Sequence, residues 1–382
     1  MNQSFAKIHA FLKSEIARGT FPGAQFVIGE RGKIIEDAAL GFAVLTPERI
    51  AATTETIYDL ASLTKPLVTT LLTVKFSERG LLDLHAEASR YLEELLGTDK
   101  QAMTLQELLT HTSGLEKWRP LYLEARSRND VVAAISHAAR DTKSAPVAVY
   151  SDLNFILLGF VLERVAGARL DVIAHREIFE PLNLRRTRFH PPPELKSQIA
   201  ATELGQMHER ATVKAEKFLC RLPDKTLIEK SPQPLKRKQL IWGEAHDGNA
   251  YFMDGVAGHA GLFSTAREVW VIANQFLPGS QLLKSESLKY FSTNYSPGGS
   301  NDRSLGWMLA STSDCSAGKR LPPEAFGHNG FTGTSVWLDG ERKRVFVLLT
   351  NRVHPQVRDL GMKQARQQFN SLAVEALERM AQ

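Results

Sequence analysis

A serine and a lysine three residues apart form the first pair of side chains in this sequence that could do chemistry. The pair is Ser62 and Lys65, inside the stretch IYDLASLTKPLVTTLL. On a helical turn the two side chains share one face, so the lysine amine can reach the serine hydroxyl and act as its base. A helix start also favours negative charge developing on oxygen. The spacing therefore predicts a nucleophilic serine, with a helix-capping hydroxyl as the alternative interpretation.

The same spacing occurs twice more in less suitable surroundings. Ser4 and Lys7 lie near the beginning of the sequence, and Ser316 and Lys319 lie in a polar stretch. Chance alone supplies about one such match in a chain of this composition. Context therefore favours the pair at Ser62.

Other catalytic and ligand-binding patterns are absent from the sequence. It contains no G-x-S-x-G, no G-x-G-x-x-G, no phosphate-binding loop and no two histidines four residues apart. The two cysteines, Cys220 and Cys315, are too few for a disulfide framework or a thiolate metal site. We therefore expect no cofactor and no metal, although eleven histidines leave open a metal site assembled from distant residues.

The net charge of +5 over 382 residues is concentrated in one segment. Residues 210–238 hold nine Lys or Arg against three acids, so the rest of the chain is about neutral. Nucleic-acid binding favours basic side chains interleaved with aromatic ones, and Phe218 is the only aromatic residue in this segment. We interpret the segment as a solvated surface or an anion-attracting rim, and we expect no nucleic-acid partner.

Both ends of the sequence combine a helical pattern with a hairpin pattern. Apolar residues recur at helical spacing over 3–18 and again from about 362 to 380. β-rich runs at 24–30 and from 33 onward predict one hairpin, and runs on either side of 340–342 predict a second. The two ends therefore supply strands to a common sheet and helices to cover it.

Between these ends, helical patterns dominate. We expect an α+β fold in which an antiparallel sheet, built from both termini and flanked by helices, carries a large all-helical insertion. The domains would be residues 1–59 with 286–382, and a mainly helical domain over 60–285. Charged residues interrupt the segment where a signal peptide needs an apolar core, and no apolar run is long enough for a membrane span. The resulting prediction is a cytoplasmic protein.

Four ordered motifs resemble the serine β-lactamase-like superfamily. They are IYDLASLTKP around Ser62, LLTHTSGL at 108–115, VYSDLN with Tyr150, and GHNGFTGTS with His328 and Gly330. Their order and spacing, over nearly the whole chain, fit the branch that holds class C β-lactamases, penicillin-binding proteins and family VIII esterases. The resemblance implies an active site in a cleft between a sheet domain and a helical domain.

The resemblance also implies roles for individual residues. Ser62 is the residue that becomes acylated, Lys65 is its proton-accepting neighbour, and Tyr150 is the phenol that shuttles protons. The backbone N–H groups of Ser62 and Phe331 would form the oxyanion hole. The other residues expected to contact substrate are Asp152, His328, Gly330, His246, Asp247 and His259.

Two residues depart from the pattern that β-lactamases show. Asp152 stands where they usually carry Asn, and a carboxylate cannot donate a hydrogen bond to a substrate carbonyl. Its charge should also keep Lys65 protonated, which leaves the base open between Lys65 and Tyr150. His328 stands where they commonly carry Lys, so a substrate carboxylate loses a permanent positive charge. Both departures favour esters or amides over β-lactams.

The leading functional hypothesis is a serine hydrolase acting through an acyl-enzyme on Ser62, most simply a carboxylesterase. The alternatives are an N-acetylmuramoyl-L-alanine amidase, a D-alanyl peptidase acting on muropeptides, or a weak β-lactamase. Partners would then be small ester, amide or muropeptide substrates. A hypothesis of another class is a binding module that kept the fold and lost turnover.

Overall fold

The computed structural model of the chain describes residues 3–141, 147–216, 218, 236–298 and 300–381. The strands are β1 (Gly23–Glu30), β2 (Lys33–Val44), β3 (Ile50–Ala51), β4 (Tyr58–Asp59), β5 (Arg188–Phe189), β6 (Leu262–Ser264), β7 (Met308–Leu309), β8 (Phe326–Asn329), β9 (Ser335–Asp339) and β10 (Arg344–Thr350). The α-helices are α1 (Ala6–Arg18), α2 (Leu71–Glu78), α3 (Leu105–Leu109), α4 (Val131–Ser136), α5 (Asp152–Ala166), α6 (Leu170–Ala174), α7 (Met207–Ala215), α8 (Gly248–Phe252), α9 (Ala266–Ala273) and α10 (Met362–Met380). Two π-helical segments, Lys65–Thr70 and His175–Phe179, and several short 3-10 helices connect them.

Seven strands from the two ends of the chain form one antiparallel sheet. Their order is β3-β2-β1-β10-β9-β8-β7, so β1 from the first hairpin pairs with β10 from the second. Both predicted hairpins are present, as β1–β2 and β9–β10, and the predicted terminal helices are α1 and α10. The predicted α+β fold with a sheet built from both ends is therefore confirmed.

Each face of the sheet packs against helices because the central strands are apolar on both faces. On β1, Phe26 and Ile28 join the cluster formed with α1 and α10, whereas Val27 faces the larger core on the opposite side. Helix α9 covers that opposite face so closely that a Cβ on Gly29 would lie 2.0 Å from the indole nitrogen of Trp270. The central strands β1, β9 and β10 are thus buried on both faces, and the site is built against their edge of the sheet.

The middle of the chain is mainly helical rather than entirely helical. Strands β5 and β6 lie in this region and form a small three-stranded sheet with β4, which ends just before it, in the order β4-β6-β5. The buried helix α5 runs through the large core and carries apolar residues on nearly all sides. Within the described ranges, no helix is long and apolar enough to span a bilayer. Most of the basic segment 210–238 lies outside the described residues.

Candidate active site

Ser62 lies in a short 3-10 turn, Ala61–Leu63, directly after β4. Ala61 has a φ of 46°, in the left-handed region, so the chain bends sharply just before the serine. The Asp59 carboxylate stabilises this bend by accepting hydrogen bonds from the N–H groups of Ala61 and His246, each at 2.8 Å. The strain at Ala61 is therefore held by a buried anchor two residues away.

The turn between β8 and β9 binds the same segment from the sheet side. The Thr332 hydroxyl donates to the Asp59 carbonyl at 2.7 Å, and the Thr334 hydroxyl donates to the Leu60 carbonyl at 2.9 Å. These two bonds connect the end of β8 to the residues that precede Ser62. The serine and the sheet edge are consequently fixed relative to each other.

The Lys65 ammonium group is the centre of a polar cluster around Ser62. Its nitrogen lies 3.0 Å from the Ser62 hydroxyl oxygen, 3.0 Å from the His259 carbonyl oxygen and 2.7 Å from an Asp152 carboxylate oxygen. The Tyr150 phenol hydrogen-bonds with both Ser62 and Lys65. The Lys65 side chain is fully buried. The structure thus brings together the serine, amine, phenol and carboxylate that the sequence singled out.

Electrostatics keep Lys65 charged and Tyr150 protonated. Burial alone would lower the pKa of Lys65, but the Asp152 carboxylate and Tyr150 outweigh it and raise that pKa above its usual value. Burial raises the pKa of Tyr150, and the nearby Lys65 ammonium opposes this rise only in part. At neutral pH the resting site therefore holds an ammonium, a carboxylate and a neutral phenol.

Tyr150 and Asp152 are positioned by the loop that leads into α5. The Ser151 N–H donates to His111 Nδ1 at 3.0 Å, and the Asp152 N–H donates to the Lys117 carbonyl at 2.9 Å. The His111 ring lies 4.6 Å from the Tyr150 ring, centroid to centroid. Burial lowers the pKa of His111 well below its usual value, so this ring is a neutral support for the phenol.

His328, Gly330 and Phe331 occupy the sheet side of the site. His328 Nδ1 lies 2.9 Å from the Asn329 carbonyl oxygen, which places the ring proton on Nδ1. Burial and the nearby Lys65 charge lower the pKa of His328 well below its usual value, so the ring is neutral. A Cβ on Gly330 would lie 2.4 Å from the Leu60 carbonyl oxygen, so glycine is needed where the sheet meets the serine segment.

His246, Asp247 and His259, which the resemblance also implied, form a second wall of the site. His246 stacks on the Phe331 ring with centroids 5.6 Å apart. Asp247 accepts a 2.9 Å hydrogen bond from His259, which is only 1% exposed and supports the wall from behind. Burial and the Asp247 charge raise the pKa of Glu209, on the same wall, to about 7. Near pH 7 the Glu209 carboxyl is therefore about half protonated, whereas Asp247 stays ionised because burial is outweighed by His259, which holds the pKa of Asp247 below its usual value.

The cluster opens into a cleft of about 560 Å³. Of the residues expected from the sequence, the following line the cleft: Ser62, Tyr150, Asp152, His246, Asp247, His328, Gly330 and Phe331. Lys65 and His259 lie behind its surface. In the part of the chain that the structure describes, no three His, Cys, Asp or Glu side chains gather as a metal site requires.

Four cationic side chains in the cleft were not expected from the sequence: Lys117, Arg303, Arg352 and Arg366. Arg366 donates to the Gly330 and Thr334 carbonyls, and Arg352 donates to the Phe331 carbonyl at 2.8 Å. Arg303 belongs to a stretch whose sequence is typical of a loop. No motif in the sequence singles it out.

Comparisons with known proteins agree with this architecture. A "Putative D-alanyl-D-alanine carboxypeptidase" of Escherichia coli (strain K12) is 28% identical over 369 residues, covering 89% of this chain and 80% of that protein. An "N-acetylmuramyl-L-alanine amidase" of Bacillus subtilis (strain 168) is 29% identical over 386 residues, covering 92% of this chain and 82% of that protein.

Among solved structures, the fold resembles that of "EstCE1, a hydrolase with promiscuous acyltransferase activity". The TM-score is 0.73 at 18% sequence identity, over 97% of this chain and 98% of that one. Residues 8–370 match the sequence profile of the Beta-lactamase family. The chain belongs to the beta-lactamase family.

Proposed function

We propose that this serine hydrolase of the β-lactamase fold cleaves a carboxylic ester or amide through an acyl-enzyme on Ser62. The observation that carries the proposal is the 3.0 Å contact between the Ser62 hydroxyl and the Lys65 ammonium, with the Tyr150 phenol bonded to both, at the floor of an open cleft. This arrangement places a nucleophile, a positive charge and a proton carrier next to one another.

Acylation needs the Ser62 proton to leave as its oxygen bonds to the substrate carbonyl carbon. The raised pKa of Lys65 and of Tyr150 disfavours a free amine or a free phenolate before the reaction. A neutral phenol can relay instead: its oxygen takes the Ser62 proton while its own proton passes to the leaving nitrogen or oxygen. Deacylation runs the same relay with water in the place of the leaving group. We therefore assign the proton transfer to Tyr150 and the positioning of Ser62 to Lys65.

The tetrahedral intermediate needs donors for its oxyanion. We assign the backbone N–H groups of Ser62 and Phe331, on the two elements that Thr332 and Thr334 hold together. No acceptor within the described residues takes a hydrogen bond from the Phe331 N–H. The neutral His328 beside this position adds no positive charge, which fits an ester or amide better than a β-lactam antibiotic that needs its carboxylate bound there.

Muropeptides are a second candidate substrate class. One relative is named a putative D-alanyl-D-alanine carboxypeptidase and another an N-acetylmuramyl-L-alanine amidase, and four cationic side chains line the cleft. Two of the acids that could repel an anion are weakened, because Asp152 pairs with Lys65 and the pKa of Glu209 is raised to about 7, and Asp247 is the cleft acid that stays ionised. An anionic sugar-peptide would therefore meet a cleft of suitable charge.

Turnover assays separate these possibilities. Wild-type protein should hydrolyse short-chain p-nitrophenyl esters, and Ser62→Ala should lose that activity while it stays folded. Ser4→Ala, from another Ser-x-x-Lys pattern, is the matched control and should keep it. Turnover of a MurNAc-tripeptide alone would replace the esterase assignment by the amidase one. An acyl adduct that forms and never hydrolyses would indicate the binding module instead.

The sequence-based location and domain division stay predictions. We propose a cytoplasmic enzyme with the cleft between a sheet domain, 1–59 with 286–382, and a mainly helical domain, 60–285. Fractionation of cells that express the full chain tests the predicted cytoplasmic location. Limited proteolysis tests the domain division, because the protease should cut between the two domains before it cuts within either of them.

A further inference from the structure

The loop between α8 and β6 supplies a backbone carbonyl that contacts the Lys65 ammonium. The His259 carbonyl oxygen lies 3.0 Å from the Lys65 nitrogen, and the neighbouring Gly258 carbonyl accepts from the Thr69 hydroxyl at 2.6 Å. Among the described residues, no backbone acceptor takes a hydrogen bond from the N–H groups of 257–261. The direction of the His259 carbonyl is therefore set by side chains and packing, and not by a helix or a strand.

The His259 side chain forms a buried pair with Asp247, here called the Asp247–His259 pair. Its Nε2 lies 2.9 Å from Asp247 Oδ1, and the ionised carboxylate makes this a charge-assisted bond. The same carboxylate oxygen accepts from the Ala250 N–H at 2.8 Å, at the start of α8. The pair thus connects the loop to a fixed helix end.

Packing at Gly258 and the Asp247–His259 pair together define the direction of the carbonyl. A Cβ on Gly258 would lie 2.1 Å from the Phe155 carbonyl oxygen, so the loop lies directly against α5 at this residue. That contact fixes where the loop passes. The bond from the His259 ring then restricts the rotation of the residue whose carbonyl meets Lys65.

The pair also belongs to a closed ring of contacts that includes the nucleophile. The Asp59 carboxylate accepts from the N–H groups of Ala61 and His246, the residues immediately before Ser62 and Asp247. The pair continues this connection to the lysine, and the lysine ammonium returns it to the serine hydroxyl at 3.0 Å. A break at the pair would therefore release the lysine from one of its supports.

We propose that Asp247 and His259 are positioning residues for Lys65, because their hydrogen bond directs the His259 carbonyl at the ammonium that holds Ser62 for attack. This inference rests on the proposed function of Ser62. It also assigns both residues a role other than the substrate contact that the sequence led us to expect.

The rate at which a fluorophosphonate with a short alkyl chain modifies Ser62 tests the proposal. This rate reports attack by the serine and does not depend on contacts to the acyl group of a substrate. His259→Ala and Asp247→Ala should each lower the second-order rate constant about ten- to hundredfold, the range expected when a reacting group is misplaced by about 1 Å. Asp247→Asn keeps an amide oxygen that can accept both bonds and should keep most of the rate.

A double variant and two further variants make the test specific. Asp247→Ala combined with His259→Ala should be no slower than the slower single variant, because either change alone breaks the pair. His9→Ala removes a histidine that bonds to Glu36 at 2.7 Å outside the cleft, and this control should keep the wild-type rate. His259→Leu fills a similar volume without a donor, and it carries the test if His259→Ala does not fold.

Three outcomes overturn the proposal. One is a wild-type modification rate in folded Asp247→Ala or in the folded His259 variants. Another is a double variant in which the two losses multiply, which would show independent roles. The third is Asp247→Ala with an unchanged modification rate and kcat but a raised KM for p-nitrophenyl esters, which would assign Asp247 to substrate contact.

The same measurements separate this proposal from the proposed function. If the positioning role is correct, the alanine variants should lower kcat for p-nitrophenyl esters and leave KM little changed. A wild-type protein that is modified at Ser62, shows the predicted losses in the variants and yet hydrolyses no ester or amide would keep the positioning role and refute the proposed function.

Discussion

Replacing Asp152 by asparagine tests the electrostatic state of the site. The substitution keeps the size of the side chain and removes the charge that lies 2.7 Å from the Lys65 nitrogen. Removing one partner of a buried ion pair costs about 3–5 kcal/mol of folding free energy when the other partner stays charged. Burial, no longer opposed by the carboxylate, should then lower the pKa of Lys65 below its usual value.

The folding stability of the wild type and that of Asp152→Asn should change with pH in opposite directions. In the wild type the pKa of Lys65 is raised, so its stabilising contribution is complete below the unfolded-lysine pKa of about 10.4 and is lost as pH rises through the folded value. In Asp152→Asn the folded pKa lies below the unfolded one. The unfolded state then binds the extra proton, and the variant gains stability with rising pH from its lowered pKa up to about 10.4.

Urea unfolding at pH values from about 6 to about 9 measures this effect. The difference in unfolding free energy between wild type and Asp152→Asn should shrink as pH rises, by at most about 1.4 kcal/mol per pH unit for one proton. The control is Asp171→Asn, which removes a surface ion pair with Arg169 and should cost about 1 kcal/mol or less at every pH in this range. A difference for Asp152→Asn that does not change with pH would refute the assignment of a charged Lys65 held by Asp152.

The same variant addresses substrate choice. An asparagine amide at this position can donate to the carbonyl of a β-lactam side chain, whereas the native Asp152 carboxylate cannot. Nitrocefin hydrolysis should therefore rise in Asp152→Asn. An unchanged rate would discard the explanation that the charge at this position discourages lactams.

Three further substitutions have defined outcomes. Tyr150→Phe removes the proposed proton relay and should lower kcat for p-nitrophenyl esters at least about a hundredfold while acyl-site binding persists; near-normal kcat would exclude the relay. Gly330→Ala places a Cβ 2.4 Å from the Leu60 carbonyl oxygen, so the sheet edge must move away from the serine segment, and kcat should fall about a hundredfold. Retained kcat in that variant would contradict the placement of the oxyanion hole. In Asp59→Asn, one of the two side-chain oxygens that each accept a 2.8 Å hydrogen bond becomes an NH₂ donor. The variant should lose about 1–3 kcal/mol of unfolding free energy in urea. Unchanged stability would show that the bend before Ser62 needs no anchor.

The elements with long, regular patterns could be predicted from the sequence. The helix expected from about 362 to 380 is α10, and the two expected hairpins pair through β1 and β10. These segments are long enough for their apolar periodicity to be distinguished from a chance pattern. Their apolar faces must be buried independently of how the other segments fold. The two ends of the chain therefore specify the sheet through local patterns alone.

The small sheet could not be predicted from local patterns. Strands β4, β5 and β6 have only two or three residues each and come from widely separated parts of the chain. Such short runs carry no detectable alternation, and their pairing follows from packing of the surrounding helices. The π-helical geometry of Lys65–Thr70 is a similar case, since its sequence also fits an ordinary helix.

Within the site, the sequence predicted side chains by motif and missed those set by tertiary structure. Ser62, Lys65 and Tyr150 belong to recognisable motifs, and the structure places them in contact. The His259 contribution to Lys65 is a backbone carbonyl, which no side-chain pattern reveals. Arg303 reaches the cleft because a turn packs against Thr70, and that contact depends on residues far away in the chain.

Nucleophilic attack by Ser62 is the central claim, and mass spectrometry of the phosphonyl adduct that a fluorophosphonate leaves on the attacking oxygen tests it most directly. The protein is mixed with a fluorophosphonate, and its intact mass and the modified peptide are determined. The account predicts one adduct per chain, located at Ser62, with none on Ser62→Ala under the same conditions. An adduct on another residue, an equal adduct on Ser62→Ala, or no adduct on the folded wild type would contradict it.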